Sequence, residues 1–128
     1  MNETGPVKVI IEYVEACRVG SPDRLRRIFH ADALMSGYYQ GEFYSGSPDP
    51  FLEEVDDNPS PSETGEHYAG EIVFANEVGR CASVILKESG FLGGDFTNCF
   101  HLAKVDGKWL ILSKTYVDEH SGELFQEE

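Results

Sequence analysis

The sequence predicts an α+β domain: helices first, then a curved, mostly antiparallel sheet that meets itself through hairpins. Two observations carry this. Helical periodicity and helix punctuation fall in the first half of the chain, whereas the stretch from His67 to Val117 alternates with the period of strands. Within that stretch Asp106-Gly107 joins two β-rich runs, and a type I′ turn there needs φ > 0 at both central residues. The 128 residues, 41% hydrophobic and 12% aromatic, suit a single domain (1–128) with a real core. Its folded part is expected over about residues 6–118, followed by an acidic tail at 119–128.

Residues 6–19 read as the first helix, because Val7, Ile10, Ile11, Val14 and Cys17 share one face. Gly20 ends it by offering the left-handed conformation. Ser21 then caps a short second helix, with Pro22 at its first position and Asp23 near the positive end of its dipole. Leu25, Ile28 and Phe29 give that helix its apolar face. His30–Tyr39 extends as a strand, Gln40-Gly41 turns it, and Glu42–Ser45 returns. Pro48 or Pro50 opens a third helix, capped by Ser47 or Asp49, with Phe51, Leu52 and Val55 as its stripe. Asp57–Gly65 contains Pro59 and Pro61 and reads as a loop. Strands at His67–Asn76 and Arg80–Glu88 meet at Glu77-Val78-Gly79, and Ser89–Gly94 links them to the closing hairpin.

Ten basic against 23 acidic residues give a formal charge of −13, which argues against nucleic acid or an anionic membrane as partner. No apolar run approaches the ~18 residues of a membrane helix. The N-terminus has no basic segment followed by an apolar one, so a cytoplasmic protein is expected. Cys17, Cys81 and Cys99 are widely spaced and odd in number, the pattern of free thiols. The histidines lack metal-ligand spacing, and no phosphate-binding or dinucleotide-binding glycine motif occurs. No cofactor and no metal are therefore expected.

The run Leu102-Ala103-Lys104-Val105-Asp106-Gly107-Lys108-Trp109-Leu110-Ile111-Leu112-Ser113-Lys114-Thr115-Tyr116 resembles the closing hairpin of the nuclear transport factor 2-like superfamily. Within it the likeness is to the "putative lumazine-binding" family. The first-helix pattern, Phe29-His30-Ala31-Asp32-Ala33 and the Gly41 turn are similar too, so the resemblance spans residues 6–118. It implies a cone-shaped, cystatin-like fold with three helices packed in a curved sheet. By the family's name it also implies a pterin-like ligand. Family members often start the penultimate strand with Asp-Tyr-Phe; here Asn98-Cys99-Phe100 stands in its place, an amide for a carboxylate.

Strict alternation from the Asp106-Gly107 turn sorts the hairpin into two faces. Asn98, Phe100, Leu102, Trp109, Ile111, Ser113 and Thr115 fall on one, assigned to the cone interior. Cys99, His101, Ala103, Leu110, Leu112, Lys114 and Tyr116 fall on the other. The ligand-binding candidates are then Asn98 as the polar fixture, with Phe100, Leu102 and Trp109 beside it. Tyr13 and Tyr39 belong with them as aromatic rings carrying phenol tips. Candidate acid–base residues are Asp32, Asp95 and His67, since a carboxylate in an apolar cavity could move a proton beside a carbonyl.

The leading functional expectation is a small-molecule-binding domain that holds a flat apolar or heterocyclic compound. The apolar outer face (Ala103, Leu110, Leu112, Tyr116) predicts a homodimer. An enzyme similar to ketosteroid isomerase or to the polyketide cyclases and dehydratases is the alternative that the superfamily implies. A protein-interaction module is the third.

Overall fold

The computed structural model describes residues 5–118. Helix α1 (Pro6–Val19) is followed by α2 (Pro22–Ile28), β1 (Phe29–Tyr39), β2 (Glu42–Gly46), α3 (Asp49–Asp57), α4 (Pro61–Thr64), β3 (Ala69–Val78), β4 (Cys81–Phe91), β5 (Gly94–Val105) and β6 (Lys108–Asp118). The expected tail, residues 119–128, lies outside the described residues.

Helix punctuation follows the sequence. Gly20 takes φ 71 and closes α1, and the Ser21 hydroxyl accepts the Arg24 amide proton at the start of α2. Arg24 then donates two 2.8 Å hydrogen bonds to Glu12, tying the two helices together. The expected loop at 57–65 contains one further helical turn, α4. Its Ser60 and Glu63 form a reciprocal capping box, a short-range signal that Pro59 and Pro61 obscure. The β3–β4 turn sits at Gly79-Arg80, so β3 starts and ends two residues later than expected and β4 runs on to Phe91.

The six strands form one sheet in the order β2-β1-β6-β5-β4-β3. Every neighbouring pair is antiparallel except β1 with β6, which is parallel and necessarily joins distant parts of the chain. The three larger helices pack against the sheet's concave face. Ile10, Tyr13, Ala16 and Cys17 of α1, Leu25 of α2, and Leu52 and Val55 of α3 are buried there. They meet Val84, Leu86, Phe100, Leu102, Trp109 and Ile111 of the sheet.

The register of the last hairpin overturns half of the expected face assignment. From the turn outward the pairing is regular as far as Leu102 opposite Ile111. The next pair is His101 with Ser113, so β6 carries one extra residue, Leu112, a β-bulge. Beyond it the parity reverses. Phe100 faces Lys114 and Asn98 faces Tyr116, where strict alternation predicts Ser113 and Thr115. Ser113 and Thr115 therefore point to the convex side, and Lys114 and Tyr116 turn into the cone. Gly37 of β1 completes the arrangement: a Cβ there would lie 2.1 Å from the Tyr116 carbonyl oxygen and 2.7 Å from its ring.

Candidate functional site

Two buried polar groups share the concave face. Glu88 lies on β4, where Ala82, Val84 and Leu86 precede it on the same side. Only 3% of its surface is exposed. The Tyr68 hydroxyl donates to its Oε2 and the Asn98 amide nitrogen to its Oε1, both at 2.6 Å. These bonds fix the plane of the carboxylate and leave it lone pairs to spare. Asn98 is itself fully buried, and its Oδ1 has no hydrogen-bond partner.

Lys114 is 4% exposed. Its Nζ donates to the Tyr13 hydroxyl at 2.6 Å, and the ring centroids of Phe51, Tyr13 and Tyr116 lie 4.0, 5.0 and 5.7 Å from it. Burial pushes the ammonium below the ordinary lysine range, while the field of Glu88 partly restores it. Burial, with Glu88 adding to it, pushes the Tyr13 and Cys17 hydrogens the other way, so the phenol and the thiol stay neutral. Burial first, then nearby Cys17 and Glu88, does the same to Tyr68.

Glu88 and Lys114 both reach the wall of an open cleft of about 850 Å³. Phe51 of α3, Phe91, Phe96, Tyr39, Tyr44 and Tyr116 supply aromatic surface, and Glu54, Asp95 and Asp118 add further carboxylates. The rim is built from turns. Asp118 accepts the Gln40 amide proton at 2.8 Å at the β1–β2 turn, and Asp95 accepts that of Gly90 at 2.9 Å. Tyr39 stacks on Phe96 across the mouth with centroids 6.1 Å apart.

The sequence-derived candidates separate into four groups. Tyr39 and Asp95 line the cleft. Asn98 and Tyr13 sit one layer behind it, holding Glu88 and Lys114, and Phe100 packs edge-on against Tyr13 at 5.0 Å. Leu102 and Trp109 are buried deeper, below the bulge, in the apolar core. Asp32 and His67 are exposed, and neither lines the cleft. Among the described residues no group of three or more His, Cys, Asp or Glu side chains is placed to hold a metal ion. None of the helices there is long and apolar enough to cross a membrane.

Sequence reasoning missed the two charged residues at the centre. Glu88 was legible, because period-two alternation from Ala82 places it on an apolar face. Lys114 was not, since the bulge that turns it inward leaves no mark in composition.

A family model described as "Putative lumazine-binding" matches residues 4–117. The chain belongs to that family. Solved structures share its fold. A nuclear transport factor 2-like protein of unknown function from Shewanella baltica superimposes with a TM-score of 0.78 at 27% identity, covering 88% of this chain and 90% of that one. Another, from Methylobacillus flagellatus, gives 0.80 at 23%, covering 88% of each. A cystatin-like domain from Nostoc punctiforme gives 0.70 at 16%, covering 98% of this chain and 83% of the other. Among relatives with a named activity, aldolase FrzH from a Cladobotryum species is 30% identical over 107 residues, 81% of either protein. The chain thus keeps the fold of these structures and has a relative named an aldolase.

Proposed function

We propose that the protein binds a small, largely apolar carbonyl compound in the cleft and catalyses proton transfer at the carbon next to the carbonyl, the step on which aldol chemistry depends. One observation carries the reading: a buried carboxylate and a buried ammonium, held by separate hydrogen-bond partners, open onto the same aromatic cleft. Glu88 would accept the α-proton. The Lys114 ammonium, in a poorly solvated setting, would stabilise charge developing on the carbonyl oxygen. The aldolase relative supports the reaction class. Aromatic walls suit a flat ligand, a heterocycle included, and the acidic rim together with the net charge of −13 disfavours polyanions such as nucleotides.

The test does not need the natural substrate. A panel of cyclic and aromatic ketones is incubated with the protein in D2O, and α-proton exchange is followed by NMR. Exchange is expected, and Glu88→Gln should slow it about 100-fold or more, the usual worth of a general base. If no ketone exchanges faster than in buffer while lumazine and similar heterocycles raise Tm, the protein is a binding domain without catalysis.

The exposed convex side supports self-association as well. Leu34, Phe43, Phe74 and Leu112 are 58%, 61%, 50% and 36% exposed there. A homodimer through this face should appear by light scattering at micromolar concentration, and Leu112→Glu should weaken it by burying a charge.

A further inference from the structure

We infer that Lys114 is a nucleophile that joins a ketone or aldehyde covalently as an imine in this cleft. The inference rests on the carbonyl-binding reading above and deepens it. Four features on the page point to covalent chemistry. The amine sits at the wall of the cleft on a rigid central strand. Among the described residues its one hydrogen-bond partner is the Tyr13 hydroxyl, so two of its three N–H directions are uncommitted within the protein. Among the described residues no carboxylate lies within 4 Å to hold it as an ion pair. Three aromatic rings pack around it and leave it 4% exposed, the setting in which a lysine pKa falls.

The step balances without an oxidant or reductant. The ammonium gives one proton to Glu88 through water in the cleft. The freed lone pair attacks the carbonyl carbon; the C–N bond forms as the carbonyl π pair moves onto oxygen, which takes the proton back from Glu88. A second proton passes from nitrogen to that hydroxyl. Water leaves as the C–O bond breaks and the nitrogen lone pair closes the C=N bond. Ammonium plus carbonyl has become iminium plus water, with charge conserved. The iminium then withdraws electrons from the α-carbon, which makes that proton accessible to Glu88.

The experiment uses cyclohexanone with cyanoborohydride, and separately acetylacetone, on the full chain, followed by peptide mapping. The other lysines, Lys8, Lys87, Lys104 and Lys108, are all exposed and serve as internal references. Lys114 is expected to carry most of the adduct, ahead of every one of them, because burial lowers its pKa and leaves more of it as the free amine. Lys114→Arg should abolish that adduct. Wild-type mapping decides even if the variant does not fold: adducts confined to surface lysines overturn the inference. The two readings fail separately. Ketone exchange in D2O that survives cyanoborohydride treatment, with Lys114 unmodified, keeps the acid–base reading and removes the imine. A Lys114 adduct without any exchange does the reverse.

Discussion

The β5–β6 hairpin has two halves of opposite character. On the turn side of Leu112, the inward residues Leu102, Trp109 and Ile111 pack against α1 and α2 as ordinary core. On the far side, the inward residues are Asn98, Lys114, Tyr116 and Asp118, and a cleft opens between them and α3. The backbone pairing is equally regular in both halves, and a single inserted residue separates them. A bulge here converts a sheet that would be all core into one that is half core and half site, by re-aiming every side chain beyond it.

The sharpest way to break this comparison is to shift the register beyond the bulge. Deleting Leu112 alone leaves Ser113 opposite His101 and Lys114 inward opposite Phe100, so it serves as the control; deleting Leu112 and Ser113 together puts Lys114 opposite His101 on the convex face and Thr115 in its place opposite Phe100. For the double deletion we expect complete loss of ketone exchange and of Lys114 labelling selectivity. Far-UV circular dichroism should remain that of a folded α+β protein, because the turn-side half is untouched. An active double-deletion variant would mean that the register beyond Leu112 does not set the site.

The core half should show in stability and the site half in chemistry. Leu102→Ala should cost ~2–5 kcal/mol in denaturant unfolding, the usual range for a fully buried leucine, with little effect on ligand binding. Asn98→Leu should cost ~1–3 kcal/mol, because Glu88 loses a donor in a setting where water cannot replace it. Unlike Leu102→Ala, it should also impair exchange, by releasing the carboxylate plane.

The same boundary explains what the sequence made legible. The element order, both N-terminal helices, the Asp106-Gly107 turn and the turn-side register follow from local signals: caps, left-handed positions and alternation. Asn98 was reached because it lies on β5, whose alternation is uninterrupted from Asn98 to Leu102. Lys114 lies beyond a defect set by pairing with two neighbouring strands, β5 and β1. The β1–β6 register is itself irregular between Phe29 and Leu34. That information is tertiary, and no window of β6 contains it. Glu88 failed for another reason: a glutamate on an alternating strand is usually assigned to solvent, and only Tyr68, twenty residues earlier, and Asn98, ten later, make its burial tolerable.

The smallest effect concerns the pH dependence of the site half. Lys114 has a folded-state pKa below its ordinary value of 10.5, with burial as the main cause. At pH values below that lowered pKa, both the folded and the unfolded chain carry the proton, and the cost of burying the ammonium is borne in full. As pH rises towards 10.5 the folded chain releases its proton first. The unfolded chain then binds more protons, so the stability contribution of this site increases with pH. Lys114→Met has no such group. The wild-type Tm minus the variant Tm should therefore climb between neutral pH and about pH 10, whatever its sign at pH 7. Taking the difference also removes the opposing trend from Tyr13 and Tyr68: their raised values favour the folded state until the unfolded phenols ionise near pH 10, and both proteins retain them. A flat difference across this range would place the Lys114 ammonium in contact with water, and with it the whole far half of the hairpin on the solvent side of the comparison.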